Sequence, residues 1–197
     1  MMEWTAFEDQ ARAEGYTCIC GIDEAGRGPL AGPVYAAAVV LRPGQVIDSK
    51  KLSEKKREAL FDTICSQCAA YGIGSATEKE IDEINILNAT YLAMQRAVAA
   101  LPGQPDCALV DGNRAPDLPL EVRTIIKGDA QSASIAAASI LAKVSRDRYM
   151  LQMAEKYPQY AFEKHKGYGT KLHYERLEQY GISPIHRLSF LKKWMNR

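Results

Sequence analysis

The sequence predicts an α/β protein: a mixed five-stranded sheet flanked by helices, with a small helical extension at its C-terminal end. Three observations carry this. Three strand-like segments come first, strands and helices alternate after them, and the longest helical stretch opens with a run of very small residues, Ser132 to Ser139, that lets a helix lie close to a sheet.

Thr17–Asp23 reads as a buried strand and Pro33–Leu41 as a second, joined by a glycine-rich turn from Ala25 to Gly32. Residues 54–69 read as a helix capped by Ser53, with Leu60, Phe61, Ile64, Cys65 and Cys68 on one stripe. Tyr71–Ala76 is a short third strand. Leu87, Tyr91, Met94, Val98 and Leu101 fall at the spacing of an amphipathic helix, which Pro102, Gly103 and Pro105 end. Cys107–Val110 and Val122–Lys127 are short apolar strands separated by a polar loop. A helix runs from Ala130 to about Tyr157. Beyond Pro158 come a Gly-Tyr-Gly loop and one or two short basic helices. We therefore expect a catalytic core over residues 1–157 and a basic segment over 158–197 that completes the same structural unit.

The 197 residues are 47% hydrophobic and 25% charged, which excludes disorder and collagen-like repeats and suits one globular domain. The longest apolar run, Val34 to Leu41, is far below the roughly 20 residues that span a bilayer. Glu3, Glu8, Asp9 and Arg12 do not form a secretory leader, so a cytoplasmic protein with no membrane partner is expected. The net charge of +1 hides an asymmetry: residues 1–142 hold 13 Lys/Arg against 19 Asp/Glu, a net of −6, and residues 143–197 hold 12 against 5, a net of +7. A basic end beside an acidic body fits a polyanion-binding surface; unevenly distributed solvated helix faces fit as well. Cys65-x-x-Cys68 invites a zinc or redox reading, but no second pair lies at zinc-ribbon spacing, and the helical stripe favours packing.

The acids are the most informative feature. Asp23-Glu24 ends the first strand, Asp111 ends Cys107–Val110, and Asp129 follows Val122–Lys127 through Gly128. Carboxylates delivered at the C-terminal edge of a sheet are placed for an active site, and hard oxygen ligands favour Mg²⁺ or Mn²⁺ over zinc. Local roles also fit two of them: Asp129 as N-cap of the long helix, and Asp111 as the start of an Asx turn. Adjacent acids at a strand end repel one another unless a cation is present. The turn from Gly26 to Pro33 has three glycines and two prolines in eight residues, a backbone few other residues adopt. It lacks the Walker spacing, but glycine there lets a ribose approach main-chain groups. His165, His173 and His186 stay outside the catalytic set, because a metal-activated water needs no side-chain base.

Cys20-Gly-Ile-Asp-Glu-Ala-Gly-Arg-Gly-Pro-Leu-Ala-Gly-Pro-Val34 resembles the signature of the type 2 ribonucleases H, ribonuclease HII. Asp48–Ser53, Lys127–Ala130 with Ser139–Asp147, His165–Thr170 and Ser183–Phe190 resemble further blocks of that family, in family order from about residue 17 to 190. The resemblance implies a ribonuclease H-like fold. It also implies an endonuclease that cuts the RNA strand of RNA–DNA hybrids and nicks 5′ of single ribonucleotides in duplex DNA, leaving 5′-phosphate and 3′-hydroxyl ends. It maps metal-binding carboxylates onto Asp23, Glu24, Asp111 and Asp129, serving Mn²⁺ or Mg²⁺ in two-metal-ion catalysis, with two ions when substrate is bound. It maps a 2′-hydroxyl reader onto Gly26, Arg27 and Gly28, and a junction-stacking ring onto Tyr168; a loop aromatic packed on the core is the plain alternative for Tyr168. Asp147, mid-helix between two arginines, competes for the fourth acid but reads as a salt-bridged helix residue. Lys50, Lys51, Lys143, Lys166 and Lys171 are candidate phosphate contacts, and a monomer is expected.

Overall fold

The computed structural model describes residues 4–46 and 53–196, so the expectations for Lys50 and Lys51 lie outside the described residues. Five strands form one sheet in the order β3-β2-β1-β4-β5, with β1 at Ile19–Ala25, β2 at Val34–Val40, β3 at Ala70–Ala76, β4 at Cys107–Asp111 and β5 at Glu121–Ile125. The β1–β2–β3 meander is antiparallel, whereas β4 and β5 add in parallel to β1, so the sheet is mixed as expected. Seven helices accompany it among the described residues: α1 (Ala6–Ala13), α2 (Glu54–Gln67), α3 (Glu78–Ala99), α4 (Ala133–Lys156), α5 (Phe162–His165), α6 (Lys171–Tyr180) and α7 (Leu188–Met195). None is long and apolar enough to cross a membrane.

The period of two along β2 splits the core. Ala36 and Ala38 face α3 and pack with Ala89, Ala93 and Ala97, while Ala37 and Val39 face α4 and pack with Ala133, Ala137 and Ala138. Small residues on both sides bring helix and sheet together: a Cβ on Gly21 of β1 would fall 2.2 Å from the Ser134 carbonyl carbon. The small-residue opening of α4 therefore has the packing role that its composition predicts.

Three features differ from expectation. Helix α1 carries no strong sequence signal, yet its buried Glu8 accepts hydrogen bonds from Ser132 Oγ at 2.6 Å and from Ser134 N and Oγ at 3.0 and 2.6 Å, tying the chain start to the head of α4. Helix α3 begins about two turns earlier than its apolar spacing shows, at a Thr77–Glu80 capping box. It kinks at Asn85 (φ 68°, ψ 165°), whose side chain caps Leu87 and Asn88 and so restarts the helix. The N-cap of α4 is Ser132, which excludes that role for Asp129.

The C-terminal segment is fused to the glycine turn. Leu30 packs with Leu177 and Leu191, and Ala31 with Met150, Phe162 and Ile185. Leu30 N donates to Gly167 O, Gly32 N to Ile185 O and Arg187 N to Leu30 O, each at 2.8 Å. Residues 158–196 thus set the shape of the turn between β1 and β2.

Candidate active site

The sheet register brings the acids together. Ile22 pairs with Val110 across parallel β1 and β4, so one step further along, Asp23 comes beside Asp111. Asp23 points to the α4 side and is 6% exposed. Its Oδ1 accepts the Glu24 N–H at 2.7 Å. Burial, then the neighbouring Glu24 and Asp111, hold the Asp23 carboxyl well above the usual carboxylate range, against a hydrogen bond from Ser139. Burial also raises Glu24, opposed by Arg27, whose Nη1 lies 3.3 Å from Glu24 Oε1. Asp111 Oδ1 accepts the Gly128 N–H at 2.6 Å, which seats the turn carrying Asp129 against the strand end. That turn, Gly128–Ala130, follows Lys127 in the left-handed region (φ 56°), and Asp129 is exposed on it. Glu24 and Asp111 open into a cavity of about 380 Å³ that Arg27, Tyr91, Asn113 and Arg114 also line.

Among the described residues no three His, Cys, Asp or Glu side chains stand within reach of one ion. The donor set nevertheless fits a divalent cation. Its atoms are hard carboxylate oxygens, and the raised values of Asp23 and Glu24 show charge held at a cost that a cation would relieve. Asp147 is not part of this group. It lies on α4 with Oδ1 2.6 Å from Lys143 Nζ, as a salt-bridged helix residue should, and that contact also occupies Lys143.

The glycine turn begins where the acids end. Gly26 has φ +97°, and a Cβ there would run into the Arg146 side chain. Gly28 differs: a Cβ there would meet only the Tyr168 ring, 3.7 Å away. Tyr168 is 43% exposed, so its ring faces the open side of Gly28 and is not packed into the core. Lys166 turns inward, its Nζ donating to Glu163 O at 2.7 Å and lying 3.8 Å from Glu54 Oε1, whereas Lys171 has Glu175 at 3.8 Å and is 93% exposed.

Sequence reasoning missed what holds this loop. Arg187, fully buried, donates from Nε to Gly32 O (2.8 Å), from Nη1 to Arg27 O (3.0 Å) and from Nη2 to Gly26 O (2.6 Å). Arg146, 1% exposed, donates to Pro33 O, Ala31 O and Lys166 O at 3.0 to 3.2 Å, and its guanidinium lies 5.8 Å from the Tyr168 ring centre. Charge counting alone places both on the basic C-terminal surface. Both are more than a hundred residues from the turn in sequence, so no local signal marks them as its supports.

The Ribonuclease HII family profile matches residues 20–193. The chain is 58% identical over 189 residues to Ribonuclease HII of Caldicellulosiruptor bescii, covering 94% of this chain and 92% of that protein. It is 61% identical over 177 residues to Ribonuclease HII of a Marinomonas species, covering 87% and 89%. The solved ribonuclease H2 of Pyrococcus horikoshii superposes with a TM-score of 0.73 at 29% identity, covering 88% of this chain and 93% of that one.

Proposed function

The chain belongs to the ribonuclease HII family and is a nuclease of the ribonuclease H type, and from that premise we propose that it cuts the RNA strand of RNA–DNA hybrids and nicks 5′ of single ribonucleotides in duplex DNA. Ends with a 5′-phosphate and a 3′-hydroxyl follow. On this reading it works as a cytoplasmic monomer. One observation carries the proposal: the strand that delivers Asp23 and Glu24 runs directly into a glycine turn whose open side, at Gly28, faces the Tyr168 ring.

Asp23, Glu24, Asp111 and Asp129 are the residues that would hold Mg²⁺ or Mn²⁺, two ions in the full form of the proposal, and bound there these supply the Lewis acidity that phosphodiester hydrolysis needs. The chain supplies the rest. Four carboxylates repel a phosphodiester, so the apo protein binds substrate weakly at the scissile phosphate. Arg27, held against Glu24, brings one positive charge to the edge of the site. Gly28 lets a sugar reach main-chain N–H and C=O groups, where a 2′-hydroxyl, as both donor and acceptor, distinguishes RNA from DNA. The Tyr168 ring, exposed beside Gly28, would stack on the deoxyribose just beyond the ribonucleotide.

Purified protein with Mg²⁺ or Mn²⁺ is expected to cut a duplex containing one ribonucleotide and to leave an all-DNA duplex intact. Equal cutting of both would identify a nuclease of this fold with no need for a 2′-hydroxyl; binding without cutting would identify a module that has lost catalysis. Tyr168→Ala is expected to lose at least about tenfold on the single-ribonucleotide duplex, since one stacking contact is worth on the order of 1–3 kcal/mol. Tyr168→Phe, which keeps the ring, should lose much less. Equal, full activity of both variants removes Tyr168 from junction reading.

The lysines separate by environment. Lys171→Ala should reduce the salt dependence of hybrid binding by about one unit of slope, the contribution of a single phosphate contact, with base preference unchanged. Lys166→Ala should change the slope less, because its ammonium is already bound to Glu163 O. An unchanged slope for both returns them to the solvated surface.

A further inference from the structure

Three histidines that the chemistry does not use lie together behind Tyr168. His165, His173 and His186 are all buried. The His165 and His173 rings stack at 4.3 Å, Phe162 meets both edge-on, and Tyr160 meets His186 edge-on. Their partners fix where each proton sits. Ser183 N donates to His186 Nδ1 at 2.9 Å, so that nitrogen accepts and the His186 proton is on Nε2. His186 Nε2 lies 2.9 Å from His173 Nε2, which must therefore accept. The His173 proton is then on Nδ1, 2.9 Å from the carbonyl oxygen of Tyr168, which can only accept. Each step requires the next, and every link requires neutral rings: a proton added to His173 would set two N–H groups against each other. His165 is fixed in the same way, its Nδ1 accepting from Gly167 N and its Nε2 donating to Tyr160 O.

We propose that the Ser183–His186–His173 chain is a positioning device that fixes the backbone of Tyr168, and through it the ring that meets the RNA-to-DNA junction. This rests on the junction reading of Tyr168 given above. The Tyr168 N–H is held by His165 O at 2.9 Å, and its carbonyl by His173 and by Thr170 N. His173 and His186 thus act through Tyr168 and touch no substrate. The titratable groups facing the chain are His165 from α5, Tyr160 from the preceding turn and Tyr168 itself; Glu163 and Lys166 act on His165. Among the described residues no carboxylate faces His173 or His186 to draw a proton in. Burial holds both at about 4, so the chain stays intact at neutral pH.

A double-mutant cycle on the single-ribonucleotide duplex tests this. His173→Leu, apolar and of similar size, should lose about tenfold, close to Tyr168→Ala. In the Tyr168→Ala background, His173→Leu should then cost nothing further, and His173→Asn, which keeps a donor where Nδ1 stood, should recover most of the single loss. Losses that multiply, or an Asn variant as impaired as Leu, overturn the proposal while leaving the junction reading in place. Full activity of Tyr168→Ala overturns both. ¹⁵N-histidine NMR of the unsubstituted protein tests the proton positions without relying on any variant's folding. It should show His173 protonated on Nδ1, His186 on Nε2, and neither ring charged from about pH 8 to about pH 5.5, where an ordinary histidine is mostly protonated. The opposite tautomers, or a charged ring in that range, overturn the proposal.

Discussion

Asp23→Asn is expected to abolish cleavage while leaving the fold as stable as before, or more so. On the proposed reading the four acids act as a unit, and removing one member of such a set costs on the order of three or more decades in rate. The stability side follows from the environment of Asp23. Burial, together with Glu24 and Asp111, raises its carboxyl well above the usual range. A raised carboxyl contributes stability that is present below its unfolded value, about 3.9, and is lost as pH rises through the folded one. The apo protein therefore loses stability as pH rises through that folded value, and an amide of the same shape, which does not ionise, is spared the loss. Thermal melting in chelator should place the Asn variant at or above the unsubstituted protein. Adding Mg²⁺ or Mn²⁺ should raise the melting point of the unsubstituted protein, because a ligand that binds only the folded state stabilises it. The variant should respond much less. Near-normal cleavage by Asp23→Asn, or a variant that melts well below the unsubstituted protein, would sink this reading. Asp129→Asn beside Asp147→Asn decides the fourth acid in the same assay, with loss expected only for Asp129.

The sheet was legible because its signals are local: apolar runs that end in acids or glycines, separated by turn residues. The three acids on β1 and β4 were legible because a parallel pair brings strand ends to the same edge. What stayed hidden depends on distant partners. The two-turn helix α1 is held by Glu8, which bonds residues 124 and 126 positions away. Apolar spacing cannot show the first turns of α3, because the break at Asn85 resets the helical phase. Lys143 and Lys166 look like free cations in sequence, yet Asp147 and a carbonyl take them up. Arg146 and Arg187 counted toward a basic surface, although their acceptors are carbonyls 113 to 161 residues upstream, apart from Lys166 O. The same burial that removes these two from the surface makes them supports for the glycine turn.

Arg187→Met should damage both stability and rate, in separable amounts. Met keeps much of the buried volume and none of the donors, leaving the carbonyls of Gly26, Arg27 and Gly32 without their partner. An unsatisfied buried polar group costs about 1–3 kcal/mol, so losing the two buried bonds, to Gly26 and Gly32, together with the half-buried one to Arg27 puts the loss at about 3 kcal/mol or more. For a chain of this size that is a melting point lower by about 6–12 °C. The charge itself is held under strain, since burial and then the neighbouring Arg146 depress Arg187 to about 9, so the benefit of Arg187 comes from its three directed bonds. Arg187→Lys keeps the charge but cannot span three diverging carbonyls, and should fall between the two proteins. The rate effect is distinct. Arg146 still ties Ala31 and Pro33 at the far end of the turn, so the loop remains attached while its acid-side end, Gly26 to Gly28, is released. Misplacing a binding surface by about 1 Å can cost on the order of a hundredfold, and kcat/KM on a single-ribonucleotide duplex well below the melting point should fall by about that much. A Met variant that melts low but cuts at full rate would assign Arg187 to folding alone. One that melts and cuts normally would remove the turn's geometry from the reading of the ribonucleotide.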